Sequence, residues 1–164
     1  QFTDEVAWDL ADFVVAGLLL FGAGIAFDRI ARVGDTLLYR VAVGVALVAG
    51  LVLIWMNLAV GLIASENHPA NFMYHGMLVF GFFASAVGRF RPRFMVWVLL
   101  ALAICQTLIP PVALAIWNLL EIPGRVWAIN TVFVAIWILA AVLFRRSRNS
   151  VSQTLADEHH CKAT

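Results

Sequence analysis

The chain has 164 residues, 63% of them hydrophobic and 13% charged, with a mean hydropathy of +0.91. A soluble domain carries about 25% charged residues, so the composition excludes one and marks an integral membrane protein. The formal net charge is only +1, and nothing in the chain has the basic face of a nucleic-acid binder.

Five apolar runs are long enough to cross a hydrocarbon core of about 30 Å as helices. They cover residues 10–27, 41–64, 72–87, 94–120 and 126–144. Short connections make sequential helices antiparallel neighbours. The expected fold is therefore all-α, an integral membrane bundle of five transmembrane helices in residues 1–148, followed by a polar tail in residues 149–164.

Charge sets the expected orientation. Arg29, Arg32 and Arg40 lie between the first two runs, Arg89, Arg91 and Arg93 between the third and fourth, and Arg145, Arg146 and Arg148 after the fifth. The opposite side holds Asp4, Glu5, Asp9, Glu66 and Glu121, with Arg125 as its basic residue. The positive-inside rule then puts the N-terminus outside and the C-terminus and tail in the cytoplasm. "TDEVAWDLADF" lacks the basic start of a secretory signal, so the first run reads as a true span. Cys105 and Cys161 lie too far apart to pair, which rules out a disulfide framework.

Along the chain, the second run offers Ala42, Ala46 and Gly50 at a spacing of four. The third pairs Gly81 with Ser85 and Ala84 with Gly88. These are small-residue faces for close helix packing, inside the bundle or against another protein. In the fourth run, "QTLIPPVALAI" places Pro110 and Pro111 mid-helix, where two lost donors predict a kink. Transporters use such breaks as binding sites, but they come in matched pairs, and neither a second break nor an internal repeat is present. Trp8, Trp117 and Trp127 at outer ends, with Trp97 at an inner end, form an aromatic belt.

Polar residues cluster in the outer half of the spans. Asp9 and Asp12 open the first, Asn57 and Glu66 close the second, and Asn71, Tyr74 and His75 open the third. Gln106 and Thr107 lie beside the proline pair, Asn118 and Glu121 close the fourth span, and Asn130 and Thr131 open the fifth. The inner half has only Ser85 to compare. A cavity or partner surface open to the outside is expected, with Asn57, Glu66, Asn71, Tyr74, His75, Gln106 and Asn130 as its binding residues.

The stretch "GLIASENHPANFMYHG", residues 61–76, forms the lip of that cavity. Asn67 or His68 can cap the third helix, Pro69 suits its first turn, and Glu66 complements its dipole. Tyr74 and His75 lie within the span and need hydrogen-bond partners, which Asn57 or Asn130 could supply. Glu66, His68 and His75 are chemically fit to bind a metal, although their spacing matches no zinc motif. Two histidines on one loop and helix do not hold a haem between them; a histidine with Met56 is the remaining pairing, and no cofactor is assigned. The tail "DEHHCKAT" reads as a metal-binding cluster or as a polar terminus. A nucleophile elbow, a phosphate loop and a catalytic carboxylate pair are all missing from the sequence.

"WMNLAVGLIASENHPANFMY", residues 55–74, followed by "RFRPRFM", resembles a group of small bacterial inner-membrane proteins of unassigned function. The resemblance covers mainly the second and third spans. It implies a multi-pass protein of the bacterial inner membrane. The loop in that group is acidic and amide-rich without the two histidines, so His68 and His75 depart from its pattern and weaken the case for a metal.

The expected function is that of a non-enzymatic accessory or structural subunit, in contact with the lipid bilayer and with other membrane protein subunits. A small transporter or ligand-binding protein with an external cavity is the second reading. A cofactor- or quinone-associated oxidoreductase subunit is the third.

Overall fold

The computed structural model describes residues 10–59, 61–63, 68–117 and 121–162, the side chains of 11, 12 and 149–162 excepted. Five helices, each long and apolar enough to cross a membrane, form the fold. They are α1 (Leu10–Ala31), α2 (Leu37–Ala59), α3 (Phe72–Val87), α4 (Pro92–Trp117) and α5 (Gly124–Lys162), with a 3-10 turn over Pro69–Asn71 leading into α3. No strand occurs among the described residues.

Helix ends depart from the apolar runs for local reasons. α2 begins at Leu37, four residues ahead of its run, because the Thr36 Oγ1 accepts from the Tyr39 N–H at 3.2 Å and so caps the first turn. It stops at Ala59, before the run ends, and the chain turns through Gly61 at φ 65°, a conformation glycine adopts without steric cost. α5 does not stop at Phe144. It continues through the polar stretch to Lys162, since no Gly or Pro interrupts it after Gly124. α4 remains helical through Pro110 and Pro111. Membrane helices tolerate such residues where neighbours satisfy the freed groups.

α5 packs against α4 and α2, α3 packs against α4 and more lightly against α2, and α1 has α2 as its one substantial neighbour. In the α1 span only 6% of residues are buried, against 28–39% in the other four. α3 lies close on α4 because Gly81 leaves room: a Cβ there would fall 2.9 Å from Leu102.

The arginine-bearing segments meet at one end of the bundle around Tyr39, which is 1% exposed. Its hydroxyl donates to the Phe90 carbonyl at 2.7 Å, and its ring meets Phe144 edge-on at 5.2 Å. That joins the start of α2, the α3–α4 turn and the part of α5 next to its arginines. The turn needs the support, because Arg89 and Phe90 both hold positive φ, 52° and 53°, which costs roughly 1–2 kcal/mol per residue away from glycine. Phe90 N–H to Ser85 O at 2.9 Å and Arg89 N–H to Ala86 O at 2.8 Å hold it.

Gly34 lies against the Tyr39 ring, where any Cβ would collide with it. Gly34→Ala is therefore expected to displace the ring and lower stability by about 1–3 kcal/mol. Unfolding of the detergent-solubilised variant, followed by tryptophan fluorescence, measures the loss.

Candidate functional site

Polar side chains are expensive inside a bilayer unless paired. Their partners therefore show what the bundle is built around. At the end opposite Tyr39, Asn130 of α5 is the centre. Its Nδ2 donates to the Val126 carbonyl one turn back and to the Tyr74 hydroxyl of α3, both at 2.9 Å. Its Oδ1 accepts from Gln106 Nε2 of α4 at 3.0 Å and from the Tyr74 hydroxyl at 3.2 Å.

The direction of this network follows from one backbone group. The Val126 carbonyl can only accept, so the nitrogen of the Asn130 amide must face it and the oxygen must face Gln106. Gln106 then presents its NH2, and its Oε1 is left without a partner at 0% exposure. Nearby, Pro110 and Pro111 supply no N–H to the carbonyls of Gln106 and Thr107 four residues earlier. This part of α4 therefore lacks two of its own helical donors beside an unpartnered side-chain acceptor.

A second cluster lies at the start of α3. The Asn71 side chain pairs with both backbone groups of Ile63: the Ile63 N–H donates to Oδ1 at 2.9 Å, and Nδ2 donates to the Ile63 carbonyl at 3.3 Å. It mimics one rung of a strand ladder and ties the chain after α2 to the head of α3. His68 caps the 3-10 turn, its Nδ1 accepting from the Ala70 N–H at 3.2 Å, with Pro69 at the first position. His75 Nδ1 lies 3.2 Å from the Asn71 carbonyl, which only accepts, so that nitrogen carries the proton.

The sequence-predicted site residues thus divide. Tyr74, Gln106 and Asn130 meet directly, and Asn71 with His75 forms a separate cluster. Asn57, 3% exposed, donates to the Leu53 carbonyl of its own helix at 2.9 Å and leaves its Oδ1 unpartnered. Glu66 and Asn67 lie outside the described residues. His68 spends the lone pair of Nδ1 on its cap, so that nitrogen is not free for a metal. No group of three or more His, Cys, Asp or Glu gathers among the described residues.

The packing residues divide as well. Ala42 is fully buried, Gly81 meets Leu102, Ser85 donates to the Gly81 carbonyl at 2.7 Å, and Gly88 faces Phe94. Ala46 and Gly50, together with Gly81 and Ser85, line a cavity of about 330 Å³ that the sequence did not announce. This cavity lies between α1 and α3, floored by α2, α4 and Trp137 of α5. Its walls are apolar apart from the Ser85 hydroxyl, and it occupies the arginine-rich half of the bundle. Trp137 is 2% exposed and its Nε1–H has no hydrogen-bond partner. A smaller hollow of about 210 Å³ lies beside Tyr39, between Asp35, Pro92 and Ser147.

Compared with known proteins, the chain matches no family model, no curated protein and no solved structure.

Asn130→Ala removes the acceptor of Gln106 and both partners of the Tyr74 hydroxyl, and is expected to cost about 1–3 kcal/mol. Tyr74→Phe leaves the Asn130–Gln106 bond in place and is expected to cost about 1 kcal/mol, at about 0.6 kcal/mol for each of the two interhelical bonds its hydroxyl makes. Denaturant titration of both variants in the same detergent gives the ordering. Equal losses would show that the network does not centre on Asn130.

Proposed function

We propose that the protein is a non-enzymatic accessory subunit of a larger membrane assembly, held in a bacterial inner membrane with its arginine-rich end in the cytoplasm. One observation carries the reading: α1 is a full-length span that the described residues leave almost uncovered. The face of α1 turned away from the cavity holds Gly17 and Gly24, seven residues apart, and a Cβ on either would meet nothing within 4 Å. Two outward glycines on one helix face give another span a place for close backbone approach, the usual basis of helix association in lipid. The nine arginines gathered at one end support the orientation by the positive-inside rule. The implied inner-membrane location comes from the resemblance of residues 55–74.

A specific observation favours a second reading, a small transporter or ligand-binding protein. Asn57 Oδ1 and Gln106 Oε1 are buried acceptors without donors, a demand that a ligand bearing N–H or O–H groups would meet. In this reading Asn57→Leu and Gln106→Leu abolish ligand-dependent stabilisation.

Gly17→Ile combined with Gly24→Ile separates the readings, because a Cβ at either site meets none of the described residues within 4 Å. The expected result is an unchanged unfolding midpoint together with loss of the co-purifying subunits, read by native mass spectrometry of a mild-detergent extract. Survival of a fixed-stoichiometry assembly in the double variant, or a wild-type chain that runs alone, would overturn the subunit reading. An absorption spectrum of the same sample tests for a chromophoric cofactor.

A further inference from the structure

We infer that the cavity between α1 and α3 is a binding groove for one acyl chain of an anionic phospholipid, whose phosphate is held by Arg29, Arg40, Arg89 and Arg91. The inference concerns a different face from the proposed subunit contact and stands whether or not the protein has a partner.

The shape of the groove carries the first part. On α1 its lining runs from Leu18 to Ile30, and on α2 from Val43 to Ile54. At 1.5 Å per residue these stretches are about 18 and 16 Å long, close to the half-thickness of a hydrocarbon core of about 30 Å. The groove therefore has about the length of one leaflet's acyl chain. Gly22 keeps it open, since a Cβ there would meet nothing within 4 Å. An apolar hollow of this size in a bilayer holds neither water nor a polar solute.

The arginines carry the second part, and they follow from helix register. Gly22, Ala26 and Arg29 are spaced by four and three on α1, so Arg29 continues the lining face one turn toward the loop. Arg40 stands three residues before Val43 and seven before Leu47, continuing the α2 face in the same direction. Arg91 precedes the lining residue Met95 by four. Arg89 and Arg91 flank Phe90, itself a wall of the groove. Three separate segments thus bring arginine to the same mouth.

These charges also outnumber the acids beside them. At this end nine arginines stand against two aspartates, Asp28 and Asp35, among the described side chains. Asp28 is taken by Arg32, 2.7 Å away. All four mouth arginines are exposed. An apolar channel one leaflet long, ending in a basic ring, matches a lipid with an anionic head. A neutral isoprenoid would fill the channel and leave the ring unused.

The test uses the full chain in mixed micelles containing equal amounts of phosphatidylglycerol and phosphatidylcholine with identical acyl chains, and native mass spectrometry counts the lipid retained. The wild-type protein is expected to keep phosphatidylglycerol in preference. Arg29→Gln with Arg89→Gln should weaken that preference by about fivefold per arginine, while Arg29→Lys with Arg89→Lys keeps most of it. Gly22→Leu, which fills the channel and leaves the charges in place, should lose both lipids. The inference is overturned if the wild type keeps the two lipids equally, if Gly22→Leu retains phosphatidylglycerol, or if glycerol phosphate alone displaces it. It is also overturned if a neutral isoprenoid quinone displaces the bound lipid at an equal concentration.

Discussion

Asn130 is the group on which the relative depth of three spans depends. In hydrocarbon its amide has no water to fall back on, so α3 and α4 must present a hydroxyl and an amide at the matching height or leave several kcal/mol unrecovered. Tyr74 and Gln106 do so at 2.9 and 3.0 Å. Sliding either helix by a single turn, about 5.4 Å, would break the contact. Apolar surfaces alone do not impose such a register, because lipid tails solvate them as well as a neighbouring helix does. Asn71 extends the constraint to the end of α2 by holding both backbone groups of Ile63. Tyr39 applies a similar fastening at the opposite end.

α1 takes part in none of these fastenings. It rests mainly on α2, with Phe27 reaching to 3.5 Å from where a Gly44 side chain would begin. A span attached along one edge leaves a gap on its other side, and small side chains at Gly22, Ala23 and Ala26 widen it. The cavity is thus a product of incomplete closure. Its apolar walls make it compatible with lipid, and its arginine mouth makes it selective.

The number of spans was legible from hydropathy alone, because 16 or more apolar residues in a row have few other fates. The pairing of Tyr74 with Asn130 was legible as one of two options, since a tyrosine inside a span needs a polar partner and Asn57 and Asn130 lie in the same half of the bundle. Helix ends were less so. The early start of α2 depends on a single Thr36 hydroxyl, and the early stop falls just ahead of Gly61, which holds positive φ. Ala46 and Gly50 show why the cavity stayed hidden. Their spacing signals a face where something comes close, and only the structure shows that the neighbouring α1 stands off. Tyr39 was missed because one tyrosine at the edge of an apolar run resembles an ordinary interfacial aromatic.

α5 has a length of its own to account for. Its 39 residues make a rod of about 58 Å, nearly twice what the hydrocarbon core requires. The part beyond Arg148 therefore stands clear of the bilayer as a direct continuation of the helix that carries Asn130. Asn130, within two turns of the opposite end of that rod, is bonded to both α3 and α4, so the helix that reaches furthest from the bundle is also the one tied to two neighbours by polar side chains.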